Sequence, residues 1–213
     1  MTQPITPRPL ARLARLTSVG SLATLVAMAL LAGALTPGYS HVSQLISELG
    51  AQGAPWAGPF RVVGFGGAGV LLLGFCICAW RSAPRSRGTG LALVGVALYA
   101  AGYVAAAFFP CDAGCRPAQP STSQLIHNAA GAIGYLLAPA FLFMLAREAR
   151  GWPGGKALVV PGYAAAALAL IGLLTLSPSS PAAGLSQRLI ELAVLGWCAL
   201  WGSHLARSAT SAG

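Results

Sequence analysis

The chain has 213 residues and a formal net charge of +9, yet only 8% of its residues are charged and 56% are hydrophobic. Soluble domains carry about 25% charged residues, so a water-soluble globule is excluded and the chain reads as an integral membrane protein. Nor does the basic excess point to nucleic acid, because no run of Lys or Arg interleaved with aromatics sits on a soluble face.

Apolar stretches of about 20 residues, enough to cross a hydrocarbon core roughly 30 Å thick, predict six helices in one bundle. They run Leu16–Thr36, Phe60–Trp80, Leu91–Phe109, Leu125–Leu145, Ala157–Leu176 and Leu185–Leu205. Unbroken apolar runs without period-two alternation exclude a barrel. The expected class is an all-α polytopic membrane protein, with a basic tail over 1–15, a membrane domain over 16–205 and a short tail over 206–213.

Arg8, Arg12, Arg15, Arg81, Arg85, Arg87, Arg147, Arg150, Lys156 and Arg207 fall on one side of these spans, leaving Arg61, Arg116 and Arg188 on the other. The positive-inside rule places the first group in the cytoplasm. The expectation is a multi-pass protein of the cell membrane with both termini inside. A second reading of the N-terminus stays open. Three arginines, an apolar run and "LAGAL" also fit a cleaved signal peptide, although the run is long for one.

The first outward loop contains "HVSQLISELG", residues 41–50. Val42, Leu45, Ile46 and Leu49 follow helical spacing, with Ser40 as N-cap and Gly50 as stop, which predicts a short amphipathic helix. His41, Gln44 and Glu48 then share its polar face, with Ser47 at the edge. Its apolar stripe would rest on lipid or on the bundle tops.

The second outward loop carries Cys111, Asp112, Cys115 and Arg116, and leads to His127 and Asn128. Cys111 and Cys115 are four apart on the oxidising side, where one helical turn brings their Cα atoms within bridging range, so a structural disulfide is expected ahead of free thiols or ligands. Cys76, Cys78 and Cys198 lie within spans as small packing residues.

The third outward loop leads into "GLSQRLIEL", with Gln187, Arg188 and Glu191. Glu191 lies six residues inside the last span, roughly 9 Å along the axis. A carboxylate at that depth is a functional candidate or one half of an Arg188–Glu191 pair. Three of the four acidic residues and two of the three histidines are thus outward.

His41, Glu48, Asp112, His127 and Glu191 are therefore candidates for acid–base chemistry. The first four are also candidates for a divalent metal, without any recognised ligand spacing such as HExxH. Ser43 and Ser47 lack a nucleophile motif. Arg61, Arg116 and Arg188, with Gln187 and Asn128, are candidates to receive a phosphate or carboxylate, since guanidinium matches such oxygens bidentately. Tyr99 and Tyr103, one turn apart, point hydroxyls toward the polar mouth or simply pack. Gly64 and Ala68 fit a small-xxx-small helix contact.

"HVSQLISELGAQGAP", "FFPCDAGC", "LIHNAAGAIGYLLAP" and "GLSQRLIEL" together resemble a prokaryotic family of six-helix membrane proteins known as a domain of unknown function, DUF 998. The resemblance runs over nearly the whole chain and implies one six-helix bundle, but assigns no catalytic residue. The S-E-L-G stretch also bears a distant likeness to the first outer loop of eukaryotic FRAG/DRAM/Sfk-type proteins, associated with lipid and GPI-anchor handling.

Three functions remain in competition. The first is an outward site for a lipid headgroup, an anionic one included, or for a small polar ligand. The second is a lipid-modifying hydrolase or transferase, metal-assisted or not. The third is a transporter or a structural partner of other membrane proteins. Apolar span centres, interrupted mainly at Pro139, weigh against a transporter.

Overall fold

In the computed structural model, which describes residues 8–177 and 179–211, six helices are long and apolar enough to cross a membrane. They are α1 Arg8–Ala34, α2 Ala57–Ser82, α3 Arg87–Phe108, α4 Thr122–Glu148, α5 Lys156–Thr175 and α6 Ala183–Ser211. No strand occurs among the described residues. Every span runs beyond its sequence-derived bounds at one end or both, because helical pitch continues past the apolar core into the interfacial turns. The basic tail expected over 1–15 is accordingly helical from Arg8, and residues 1–7 lie outside the described residues.

Hydroxyl caps fix two of the starts. Ser86 accepts the Thr89 amide at the head of α3, and Ser121 accepts the Gln124 amide at the head of α4. Pro139 lies inside α4, and Pro161 inside α5, near its start.

Each helix packs against its chain neighbours, and α6 closes back on α1, so the helices form a ring in chain order. Within that ring α6 is the most buried span. Its Ile190, Val194, Trp197, Cys198 and Trp201 are covered on all sides. Leu16, Val62, Val70, Leu136, Val160 and Leu174 point outward and are exposed, as lipid-facing residues are in a bundle whose interior is no more apolar than its surroundings.

Interior contacts lean on small side chains. Gly64 and Ala68 face α1, where the Ser21 hydroxyl donates to the Ala68 carbonyl at 2.8 Å. At Phe60–Gly67, α2 adopts π-helical pitch. Its i→i+5 period brings Phe60 and Phe65 onto one face, their rings 5.0 Å apart edge to face and both buried.

The ring has two dissimilar ends. Connectors 35–56, 109–121 and 176–182 meet at what is called here the loop end. Connectors 83–86 and 149–155 lie at the other, basic end with the outer turns of α1 and α6. The short helix expected in the first loop is a 3-10 turn over Ile46–Gly50, later and tighter than the apolar spacing suggests. Ile46 and Leu49 are buried, whereas Val42 is 54% exposed and leaves the stripe.

Candidate functional site

"HVSQLISELG" is pinned to the top of the bundle by one arginine. Arg188, near the start of α6, donates to the Gln44 carbonyl at 3.0 Å, the Gly184 carbonyl at 2.9 Å and the Tyr39 hydroxyl at 2.7 Å. Its remaining contact is His41 Nδ1 at 2.9 Å. Guanidinium only donates, so Nδ1 accepts and the ring proton of neutral His41 sits on Nε2. Burial, and then the guanidinium beside it, hold His41 below the ordinary histidine range.

The backbone joins the clamp where the Leu185 amide donates to the Val42 carbonyl at 2.9 Å. Two glycines permit the approach. A Cβ at Gly184 would collide with the Gln44 carbonyl, and one at Gly33 would meet the His41 ring at 2.8 Å.

Glu48 braces the same loop from within. Its carboxylate accepts the Leu45 amide at 3.0 Å and the Gln44 side-chain amide at 2.9 Å, with Arg116 at 3.6 Å. Asp112 organises the third connector by accepting the Ser121 amide at 2.9 Å, the Ser121 hydroxyl at 2.6 Å and the Gln52 side chain at 3.1 Å. Those bonds from Ser121 hold its carboxyl below the usual range. A disulfide joins Cys111 to Cys115, with Cα atoms 5.0 Å apart. Asn128 accepts from buried Gln124, and Arg61 packs its stem near Gly50.

Beneath this cap lies Glu191, only 3% exposed. The Arg188–Glu191 pair that their spacing allows does not form. Arg188 reaches up to the loop, and the Glu191 carboxylate instead receives three tyrosine hydroxyls. Tyr99 donates to Oε2 at 2.5 Å, Tyr103 donates to the same oxygen, and Tyr135 donates to Oε1 at 2.6 Å. Tyr135 in turn accepts from Gln187 Nε2 at 2.7 Å, and Gln187 Oε1 accepts the Ile46 amide at 2.7 Å. One chain of hydrogen bonds therefore runs from the first loop through α6 to α4 and α3.

A cavity of about 40 Å³ adjoins this carboxylate, lined also by Ser47, Phe65, Gly102, His127 and Gly131. His127 Nδ1 lies 3.0 Å from the Phe109 carbonyl. A carbonyl only accepts, so Nδ1 carries the proton and Nε2 of the neutral ring is an acceptor.

Of the residues singled out from sequence, Glu191, His127 and Gln187 thus share one cavity, joined by Tyr99, Tyr103 and Ser47. His41, Glu48, Asp112 and the arginines build the cap instead. Among the described residues, no three His, Cys, Asp or Glu side chains gather as a metal-binding group. The four metal candidates do not fit a shared ion, because each is engaged by a different partner. Tyr135 escaped the sequence reading. Its signal was its place two helical turns beyond His127, on the same face of α4.

A ring of six apolar helices enclosing a tyrosine-held carboxylate defines a multi-pass membrane protein with a buried polar centre. Residues 18–204 match the family described as protein of unknown function (DUF998), and the chain belongs to that family. No curated protein and no solved structure matches the chain.

Proposed function

We propose that this membrane protein binds a small polar ligand, lipid headgroups included, in the cleft around Glu191, and that the cleft lies toward the extracytoplasmic side. The observation that carries the reading is a carboxylate, phenols, a histidine and a serine around one cavity within an otherwise apolar bundle. Ionisable groups inside a membrane are rare and mark function. Ligand sites are mostly apolar hollows with a few convergent polar groups.

Gly102, Ala130 and Gly131 line the cleft and are partly exposed between α3 and α4, which suits entry from the membrane side. An outward orientation is supported by the concentration of Arg and Lys at the opposite end and by the Cys111–Cys115 bridge at this one. The anionic-headgroup version has less support, because Arg116 and Arg188 spend their guanidinium groups on the cap.

Mass spectrometry of small molecules and lipids retained by the purified protein tests the reading. One species should be enriched with wild type and lost with Glu191→Gln. Indistinguishable profiles from the two folded proteins would refute it.

His127 and Glu191 on one cavity also favour a second reading, acid–base hydrolysis of a bound lipid. Product release from ester or amide lipids, abolished in His127→Ala, would select it over simple binding.

A further inference from the structure

We propose that the Glu191 cavity receives a primary ammonium group, either the headgroup of an aminophospholipid or a free small amine. This deepens the ligand-site reading above and rests on it.

The case begins with hydrogen-bond capacity. A carboxylate offers about four lone-pair sites. Three are filled by tyrosine hydroxyls, two on Oε2 and one on Oε1. The remaining site on Oε1 can take one more donor. His127 presents Nε2, a second acceptor, since its Nδ1 proton is committed to the Phe109 carbonyl. Gln187 commits one Nε2 proton to Tyr135 and its Oε1 to the Ile46 amide. Ser47 adds a hydroxyl that can donate or accept, whereas the three phenols have their protons committed to the carboxylate.

Charge points the same way. No Lys or Arg lines the cavity, and Arg188, one turn above Glu191, directs both terminal nitrogens to the loop cap. The walls are aromatic, with Phe65, Tyr99, Tyr103 and Tyr135 around the carboxylate, and Phe65 stacked on Tyr103 at 6.0 Å. Ring faces attract cations, most strongly where water is excluded. A pocket of acceptors and π-faces without a positive charge is complementary to a cationic donor and repels phosphate.

Size narrows the class. About 40 Å³ holds roughly three water-sized groups. That accommodates an ammonium and the methylene behind it. A trimethylammonium centre is wider and has no N–H for either acceptor.

The test uses full-length protein in nanodiscs, titrated with ethanolamine, choline and glycerol. Parallel discs hold phosphatidylethanolamine, phosphatidylcholine or phosphatidylglycerol, and retained lipid is measured after detergent exchange. Ethanolamine binding with free amine alone identifies a soluble ligand, and selective retention of phosphatidylethanolamine identifies a lipid.

In either case Glu191→Gln should weaken binding at least tenfold. Gly131→Leu should do the same by filling the mouth. A Cβ at Gly131 meets nothing within 4 Å, so this second variant starts from open space and probes the mouth without touching the carboxylate. Choline bound as tightly as ethanolamine would overturn the primary-ammonium assignment. Glycerol or phosphatidylglycerol bound in preference, and lost in Gly131→Leu, would overturn it while leaving the cleft a ligand site. No binding by any probe would overturn the ammonium assignment, and the retained-species comparison of wild type with Glu191→Gln then decides the cleft reading separately.

Discussion

At the basic end the interior is sealed by aromatic packing, with Trp152 stacked on Trp201 at 4.9 Å and Phe75 and Trp197 against the same ring. At the loop end the interior at similar depth is a carboxylate held by three phenols beneath an arginine-locked loop. The first arrangement gains from area and shape, which any well-fitting apolar set supplies. The second gains only if every donor finds its acceptor, because an unmade bond in a buried site costs more than a made one contributes. A bundle needs the first kind of end to be stable. The second kind specifies something besides stability, and it is there that polar residues from α3, α4 and α6 and from two connectors converge.

The largest expected effect lies at the apolar end. Trp201→Ala should destabilise the bundle by about 3–5 kcal/mol, seen as a lowered thermal midpoint in detergent, with ligand retention unchanged in the protein that remains folded. An unaltered midpoint would remove the contrast between the ends.

Arg188→Ala comes next. It strips the loop of hydrogen bonds to a charged group, for about 2 kcal/mol, and hydrogen exchange across residues 42–50 should accelerate roughly tenfold or more while the tryptophan end stays protected. Arg188→Lys should not restore protection, since an ammonium cannot reproduce the planar fork.

A smaller effect follows from pH. Folding holds His41 below the unfolded value of 6.5, so its neutral form is favoured in the native state. Stability from this site is complete above pH 6.5 and is lost as pH falls through the lower folded value, when a charged imidazole faces Arg188. Exchange at the first loop should rise on acidification below pH 6.5, and His41→Gln should flatten the profile. Loosening on alkalinisation would contradict the assignment.

The smallest effect belongs to Arg116→Ala. Its 3.6 Å contact with Glu48 is made by a side chain 38% exposed. Loss below about 1 kcal/mol is expected, shrinking further in high salt.

These contrasts bear on what the sequence made legible. The spans were readable because lipid imposes one demand, length in apolar residues, on each helix separately. Glu191 was readable as a charge in the wrong medium. Its partners were not, since Tyr99, Tyr103 and Tyr135 stand 92, 88 and 56 residues away along the chain. No local period encodes a meeting of three helices.

The absence of an Arg188–Glu191 pair has a definite physical cause. Side chains on a helix lean toward its N-terminus, so an arginine near the head of α6 extends up over the loop, away from the carboxylate one turn below. The first loop misled for a related reason. Its apolar spacing suits an α-helix, but Gln44 and Glu48 bond to the backbone at Ser40 and Leu45 and hold the segment open until Ile46.

The ring in chain order has a consequence for biogenesis. Ribosomes deliver α6 last of the six, yet it is both the most buried of them and the least apolar. On arrival it must leave the translocon for a slot already framed by α1 and α5, its two flanking neighbours. Until then Tyr99, Tyr103 and Tyr135 lack the Glu191 acceptor, and the loop lacks the Arg188 clamp. Glu191 thus acts as a keystone, entering once the arch stands and tying the last helix to the third and fourth.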